Sequence, residues 1–349
     1  MTSNNRGAMR CPRLQDLPEP PSGKRGWPWT EESTPLLSSP PNGREWPRIT
    51  VVTPSFNQAR FLEETLRSVL LQGYPNIEYF VLDGGSTDGS VAIIKRYASW
   101  IDYWASESDG GQSAAINRGL RMGSGQFATW INSDDLLCKD ALVRQVSQMA
   151  LLSEDAPTAD TVYVGNCLII DVNGKVLRSH RGRVHSLEDL VRIRTVWRSG
   201  GYIVQPEVLF PRQLALAVGG LDPENHYTMD YELWGKLFLA GAEFHYTDTP
   251  FGMFRKHPHQ KTHDMVRQTR SLLDTVAKLV HQADLFPDHT KEEILQDLRA
   301  YGEAYADNYW KSTGRLARLG LPRAMVTGLR RLKTLLLKAV PFSTTREQA

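Results

Sequence analysis

The sequence predicts an α/β protein whose core is a parallel sheet with helices on both faces. Three observations point there. Between residues 48 and 142, short β-branched runs alternate with segments whose apolar residues fall at helical spacing. Each predicted strand in that stretch ends in a loop rich in Asp, Asn, Ser and Gly. The composition, 41% hydrophobic and 23% charged over 349 residues, is that of an ordinary globular chain long enough for one large domain or two smaller ones.

Ile49-Thr50-Val51-Val52-Thr53 reads as a buried strand. Leu62, Leu66, Val69 and Leu70 then follow at helical spacing, and Gly73 and Pro75 end that helix. Ile77 to Leu82 is a second strand, and Thr87 or Asp88 is placed to cap a helix running to about Tyr97. Ile101 to Ser106 reads as a third strand, Ser113 to Met122 as a helix, and Phe127 to Ile131 as a fourth strand. Ligands of such sheets bind outside the carboxyl ends of the strands, which directs attention to the loops there.

The second half is less regular. Val162 to Asp171 and Val176 to Ser179, joined across Asn173-Gly174, form an expected hairpin. Tyr202 to Phe210 and Phe244 to Phe254 read as extended, Asp230 to Leu239 as helical, and helices dominate beyond residue 264. Residues 1–47 are rich in Pro, Ser, Gly and charge and are expected to be a flexible leader, with Trp27, Trp29 and Trp46 able to pin part of it to the body. The expected domains are therefore the leader 1–47, a catalytic domain 48–263 divided near residue 142, and a helical extension 264–349.

A formal charge of +2 gives no global attraction to nucleic acid or anionic membrane. Cys11, Cys138 and Cys167 show neither metal-ligand spacing nor a disulfide framework, which fits a reducing, cytoplasmic setting. No stretch reaches the roughly 18 apolar residues of a membrane span, and no apolar signal segment opens the chain. From Lys311 to Lys338, basic residues interleave with leucines and no acid occurs. Such an amphipathic segment suits peripheral contact with the inner face of a membrane, or packing on the body with its basic face solvated.

Four loops carry the chemistry: Thr53-Pro54-Ser55-Phe56-Asn57, Asp83 to Asp88, Glu107 to Gln112, and Asn132-Ser133-Asp134-Asp135. Any one of them could be turn chemistry alone. Together, on one edge of a sheet, they form a polar crevice. The adjacent carboxylates Asp134 and Asp135 repel unless a cation or hydrogen-bond donors stand between them, and a hard divalent ion shared with substrate phosphates meets that need. The alternative is that one of them caps a helix from Leu136 to Met149. Gly84-Gly85 and Gly110-Gly111 allow close approach of backbone to a ligand. No Gly-x-Gly-x-x-Gly follows the first strand, which argues against a dinucleotide-binding fold.

These four motifs, with Asp109 to Gly119 as the third, closely resemble the donor half of glycosyltransferase family 2. The resemblance implies a GT-A fold, a mixed sheet flanked by helices, and inverting transfer from a nucleoside-diphosphate sugar with Mn²⁺ or Mg²⁺. It also implies that Thr53 and Asp83 meet the base and ribose, that Asp109, Gln112 and Asn117 line the same pocket, and that Asp134 and Asp135 form the metal and diphosphate site. Asn132 stands where the family often has Asp. On the acceptor side, Met229-Asp230-Tyr231-Glu232-Leu233-Trp234 resembles the family's helix-opening acidic motif, with Asp230 as general base. In Phe254 to Thr262, His257 matches a residue that completes the metal shell, while Arg255 and Lys261 are expected to neutralise the leaving diphosphate. His259 and His263 carry no such match.

Gln205 is a candidate near the acceptor, and Trp197, Tyr202 and His226 are candidates for stacking on sugars. The implied partners are a nucleotide sugar and a carbohydrate or lipid-linked acceptor, in polysaccharide or glycolipid synthesis. Two rival readings are a sugar-phosphate nucleotidyltransferase and a non-catalytic carbohydrate-binding scaffold. The first needs a Gly- and Lys-rich opening loop, which Thr53 to Asn57 is not. Retention of Asp83, Asp134, Asp135 and Asp230 opposes the second.

Overall fold

The computed structural model describes residues 2–4, 11–36, 45–152, 160–258, 260–261 and 264–317. Ten strands form one mixed sheet: β1 (Thr2–Asn4), β2 (Ile49–Ser55), β3 (Ile77–Asp83), β4 (Tyr103–Ser106), β5 (Phe127–Trp130), β6 (Leu136–Leu137), β7 (Thr161–Ile170), β8 (Val176–His180), β9 (Val208–Pro211) and β10 (Glu243–Arg255). Their order is β1-β4-β3-β2-β5-β9-β7-β10-β6, with β8 paired to β7. The expected parallel arrangement holds for β4-β3-β2-β5. Beyond it, β9 runs antiparallel to β5 and to β7, so the second half of the chain closes the sheet in mixed sense.

Alternation along β2 explains the two-faced core. Ile49 and Val51 pack with Leu62, Leu66 and Val69 of α1 (Ala59–Leu70) on one face. Val52 packs with Ile116 and Leu120 of α3 (Gln112–Met122) on the other. Successive strand residues point to opposite faces, so a strand covered on both sides must be apolar throughout. Full burial of each such side chain contributes about 1.5–3 kcal/mol. Gly119 lets α3 lie directly on β2, since a Cβ there would stand 2.6 Å from Val52 Cγ2.

Helix α2 (Ser90–Tyr97) starts after Gly89, whose φ is 101°. Asp88 accepts from the Ser90 N–H at 3.0 Å and from the Ala59 N–H at 2.8 Å, tying together the starts of α2 and α1. The helix envisaged from Leu136 begins later, as α4 (Ala141–Leu152). Leu136 and Leu137 are instead captured as β6 by Met253 and Gly252 of β10. Neither Asp134 nor Asp135 is therefore a helix cap.

Part of the expected leader is built into the body. Residues 11–36 have one short 3₁₀ turn, Leu14–Asp16, yet Leu17, Trp29 and Ser33 are buried. Their anchor is Arg67 of α1, which is fully buried and donates to the carbonyls of Pro18 (2.8 Å), Pro28 (3.0 Å) and Trp29 (3.1 Å) and to the Tyr97 hydroxyl (3.1 Å). Trp27 Nε1 donates to the Leu137 carbonyl at 2.9 Å. Composition argued for a free segment because it shows little apolar area; a buried guanidinium that needs carbonyl acceptors supplies the missing attraction. Arg67→Met is expected to cost about 1–3 kcal/mol for each carbonyl left without a donor. Hydrogen exchange checks this: the Trp29, Thr30 and Ser33 amides should lose protection while those of β2 keep it.

The helices after residue 264 also join the core. In α7 (Met229–Leu239) Leu233, Trp234 and Leu237 pack with Leu272, Val276 and Leu279 of α8 (Met265–Gln282). The last described helix, α9, covers Asp288–Ala317. A short helix α5 (Leu187–Val191) precedes a π-helical stretch, Ile193–Gly201, which is broken at Gly200 (φ 117°) and which no local pattern announced, and α6 is Arg212–Ala217. From residue 318 the basic segment lies outside the described residues, as do His259 and His263. No described helix is long and apolar enough to cross a membrane.

Candidate active site

The strand-end loops open onto one cavity of about 1240 Å³. That exceeds the roughly 300–1,000 Å³ of a site for one drug-sized ligand and leaves room for two reactants. Pro54 to Phe56 come from the end of β2, Gly84 from β3, Ser108 to Gln112 from β4, and Asn132 to Asp135 from β5. The second half of the chain supplies the opposite wall, including Trp197, Tyr202, Gln205, His226 and Asp230. Asp109, Gln112, Asp134, Asp135 and Asp230 are thus brought together.

Thr53, Asp83, Asn117 and His257 stand behind the wall. The Thr53 hydroxyl is fully buried and 3.0 Å from the Tyr79 hydroxyl. Asp83 accepts from the Ser86 N–H (2.8 Å), the Ser86 hydroxyl (2.5 Å) and the Ser106 hydroxyl (2.6 Å), so its carboxylate shapes the Gly-rich turn. Asn117 clamps the backbone of Leu221, donating to its carbonyl at 2.7 Å and accepting from its N–H at 2.9 Å. The structure therefore gives these three a supporting position in place of the expected ligand-facing one. Phe56, by contrast, lies 61% exposed at the cavity mouth. An apolar residue inside a polar strand-end loop was the signal for it.

Asn132 is a hub. Its Nδ2 donates to Asp135 Oδ2 (3.2 Å) and Gln205 Oε1 (3.3 Å), and its Oδ1 accepts from Gln112 Nε2 at 2.7 Å. Only an amide can donate and accept in this way, and an aspartate here would add a third carboxylate beside Asp134 and Asp135. Gln205 in turn donates to the Trp130 carbonyl at 2.6 Å. This bond joins the Gln205–Glu207 turn to the end of β5.

The two adjacent aspartates are separated by function. Asp135 is buried, with Oδ1 accepting from the Arg255 N–H at 2.9 Å. Burial, then the Asp134 charge, holds its carboxyl well above the usual range. Asp134 lines the cavity, and its Oδ2 is 2.9 Å from Nε2 of His257, which is buried against the Phe61 ring. Among the described residues, no group of three or more His, Cys, Asp or Glu side chains is arranged to hold a metal ion. The expected set of Asp134, Asp135 and His257 is thus not gathered around one point. Asp134 and His257 remain in contact, and two protein ligands suffice for a hard ion that also binds substrate phosphates.

Arg255 cannot meet a diphosphate. It is fully buried, donating to the carbonyls of Asp134 (2.8 Å) and Val172 (3.2 Å) and to Glu64 Oε2 (3.0 Å). Lys261 does face the cavity, donates to Gln112 Oε1 at 2.8 Å, and is held below the ordinary lysine range by burial, against the opposing pull of Asp134.

Asp230 lies in the first turn of α7 and is partly accessible. Desolvation raises its carboxyl from the ordinary value, against bonds from the Tyr231 N–H at 2.8 Å and from its own N–H. The helix start is fixed from behind by α8. The Thr228 hydroxyl is 2.8 Å from that of Ser271 and 3.0 Å from that of Thr275, and Asn225 Nδ2 donates to Glu232 at 2.7 Å. Glu232, pointing away from the cavity, also receives Lys278 at 2.6 Å.

A mixed sheet flanked by helices, with Asp-rich loops at its strand ends facing a second wall, is the architecture of the GT-A fold. The pattern of glycosyl transferase family 2 matches residues 50–183, so this stretch of the chain is a domain of that family. An uncharacterized glycosyltransferase of Rickettsia bellii is 29% identical over 199 residues, which cover 56% of this chain and 28% of that protein. An uncharacterized glycosyltransferase of Mycobacterium tuberculosis is 36% identical over 115 residues, covering 33% and 43%. The chain therefore matches less than half the length of either relative. The crystal structure of S. aureus TarS in complex with UDP-GlcNAc superposes with a TM-score of 0.58 at 17% identity, covering 84% of this chain and 82% of that one. This likeness establishes the fold.

Proposed function

We propose that the protein transfers a sugar, with inversion and with a divalent ion, from a nucleoside-diphosphate sugar to a hydroxyl acceptor in polysaccharide or glycolipid assembly. The observation that carries this reading is the single cavity in which the strand-end loops face Asp230. The family match and the UDP-GlcNAc bound by TarS support a nucleotide-sugar donor. Phe56 offers an exposed ring for the base, and Asp109 and Gln112 offer polar contacts.

Asp134 and His257 would hold the ion with diphosphate oxygens, and the ion would offset charge on the departing diphosphate. Lys261 adds a cation on the same side. Asp230 takes the proton of the acceptor hydroxyl as its oxygen bonds to the anomeric carbon. The bond from that carbon to the diphosphate oxygen breaks, and the nucleoside diphosphate leaves with the electron pair. Attack opposite the leaving group inverts the anomeric centre. Asp135 and Arg255 keep the Asp134 loop in place.

Isothermal titration with UDP and GDP, each with and without Mn²⁺, tests the donor half. One nucleotide should bind in a metal-dependent manner, and Asp134→Asn should weaken that binding by at least about tenfold. No binding of either nucleotide would sink the proposal.

A further inference from the structure

The cavity is lined by both acids and bases. Its acids, Asp109, Asp134, Asp135 and Asp230, belong to the strand-end loops and the start of α7. The lining also carries Arg178, Arg198 and Lys256; Arg178 is bonded to Tyr202, and Arg198 follows Trp197 in the chain.

The register shows how the basic lining is built. Phe254 of β10 is opposite Ile169 of β7, and Ile169 is opposite Arg178 of β8, so the three form one row across the sheet. Lys256 follows Phe254 by two residues, and its N–H is held by the Ile170 carbonyl at 2.8 Å. Arg178 Nη2 donates to the Tyr202 hydroxyl at 2.7 Å, which orients the guanidinium. The Trp197 ring centre is 6.3 Å from that of Tyr202 and 4.7 Å from that of Tyr231, the neighbour of Asp230. Arg178 is thereby linked to the base through adjoining rings. Arg198 lies near the Tyr301 ring, its guanidinium 6.0 Å from the ring centre.

Nearby arginines outside the cavity find carboxylates. Arg181 and Arg183 share Asp248, Arg192 meets Glu188 and Glu293, and Arg194 meets Asp297. Arg178, Arg198 and Lys256 have no ion pair with a carboxylate among the described residues. Three exposed cations on the cavity wall, with no carboxylate partner among the described residues, call for an anion supplied by the ligand.

We propose that the acceptor carries oxyanion groups, phosphate or carboxylate, close to the hydroxyl that is glycosylated, and that Arg178, Arg198 and Lys256 select it. The inference rests on Asp230 marking the acceptor side of the reaction proposed above. A neutral glycan would leave these cations to solvent and gain only the ring contacts of Trp197 and Tyr202.

The test uses the full chain saturated with UDP and Mn²⁺, so that anions cannot enter the diphosphate site. Binding of sn-glycerol 3-phosphate and of glucuronic acid is compared by ligand-observed NMR with that of glycerol and glucose. At least one anionic probe should bind tenfold or more tightly than its neutral partner, and the probe that does so identifies the group. The triple variant Arg178→Gln, Arg198→Gln, Lys256→Gln should lose the preference while binding UDP within twofold of wild type. The charge-keeping variant Arg178→Lys, Arg198→Lys, Lys256→Arg should retain it. Equal binding of anionic and neutral probes, or a preference that survives in the Gln variant, overturns the inference and leaves the donor reading standing. Failure of the wild-type chain to bind UDP or GDP overturns both.

Discussion

Asp230→Asn is expected to bind nucleotide normally and to transfer sugar about a hundred- to ten-thousand-fold more slowly, the usual contribution of a positioned general base. Asn keeps the size of the side chain and can still accept from the Tyr231 N–H, so α7 should start as before. The proton sink is lost. A single-turnover assay at saturating donor isolates the effect, and a variant transferring at the wild-type rate would remove Asp230 from the mechanism. The sign of the pH dependence follows from its surroundings. The base must be ionised to act, and desolvation raises its carboxyl. Activity should therefore fall as pH drops through a value above that of an ordinary aspartate. Stability should move the other way. A carboxyl raised in the folded state disfavours folding once pH exceeds its unfolded value, so the Asn variant should be at least as stable as wild type at neutral pH. Urea unfolding at pH 7 checks that second half.

The second large effect is expected at Arg255, which is fully buried behind the cavity wall. Its guanidinium reaches Glu64 at 3.0 Å, and its ring contact with Phe61 closes the other side, the charge centre 4.9 Å from the ring centre. Arg255→Met leaves a buried Glu64 without its cation, which typically costs about 3–5 kcal/mol. It also frees the Asp134 carbonyl, so metal-dependent nucleotide binding should weaken even where the variant is folded. The double variant Glu64→Gln, Arg255→Met should recover part of the stability, because the orphaned charge is gone. Urea unfolding of the two single variants and the double variant measures the coupling. A single-variant cost below about 1 kcal/mol would show that water or rearrangement replaces the pair.

How much of the site was legible from the residues can be judged position by position. Asp109, Gln112, Asp134 and Asp230 lie on the cavity wall because strand ends and a helix start put them there, and both features have a period that a sequence displays. Arg255 is the opposite case. Its neighbours His257 and Lys261 do lie at the site, and nothing in the local pattern reveals that a guanidinium between two strands will be enclosed by Glu64, 191 positions earlier. Thr53, Asp83 and Asn117 carry a similar lesson. Motif order brings them to the right loops, but side-chain direction is decided by partners from other segments: Tyr79, Ser106 and Leu221.

The sequence by itself determined the α/β class, the strands β2 to β5 and the loops that end them, since hydrophobic period and turn chemistry are local properties. It also determined the hairpin of β7 and β8 and the helix bearing Asp230. Tertiary structure alone decided that Leu136-Leu137 pair as a strand, that residues 11–36 are held by Arg67, and that α8 secures the start of α7. It decided too that Asp135 is buried and held by the Arg255 N–H while Asp134 meets His257. In each case the deciding group is a buried charge or an unpaired backbone edge whose partner lies far along the chain. Burial makes such groups costly unless satisfied, and only the assembled fold determines which partner does so.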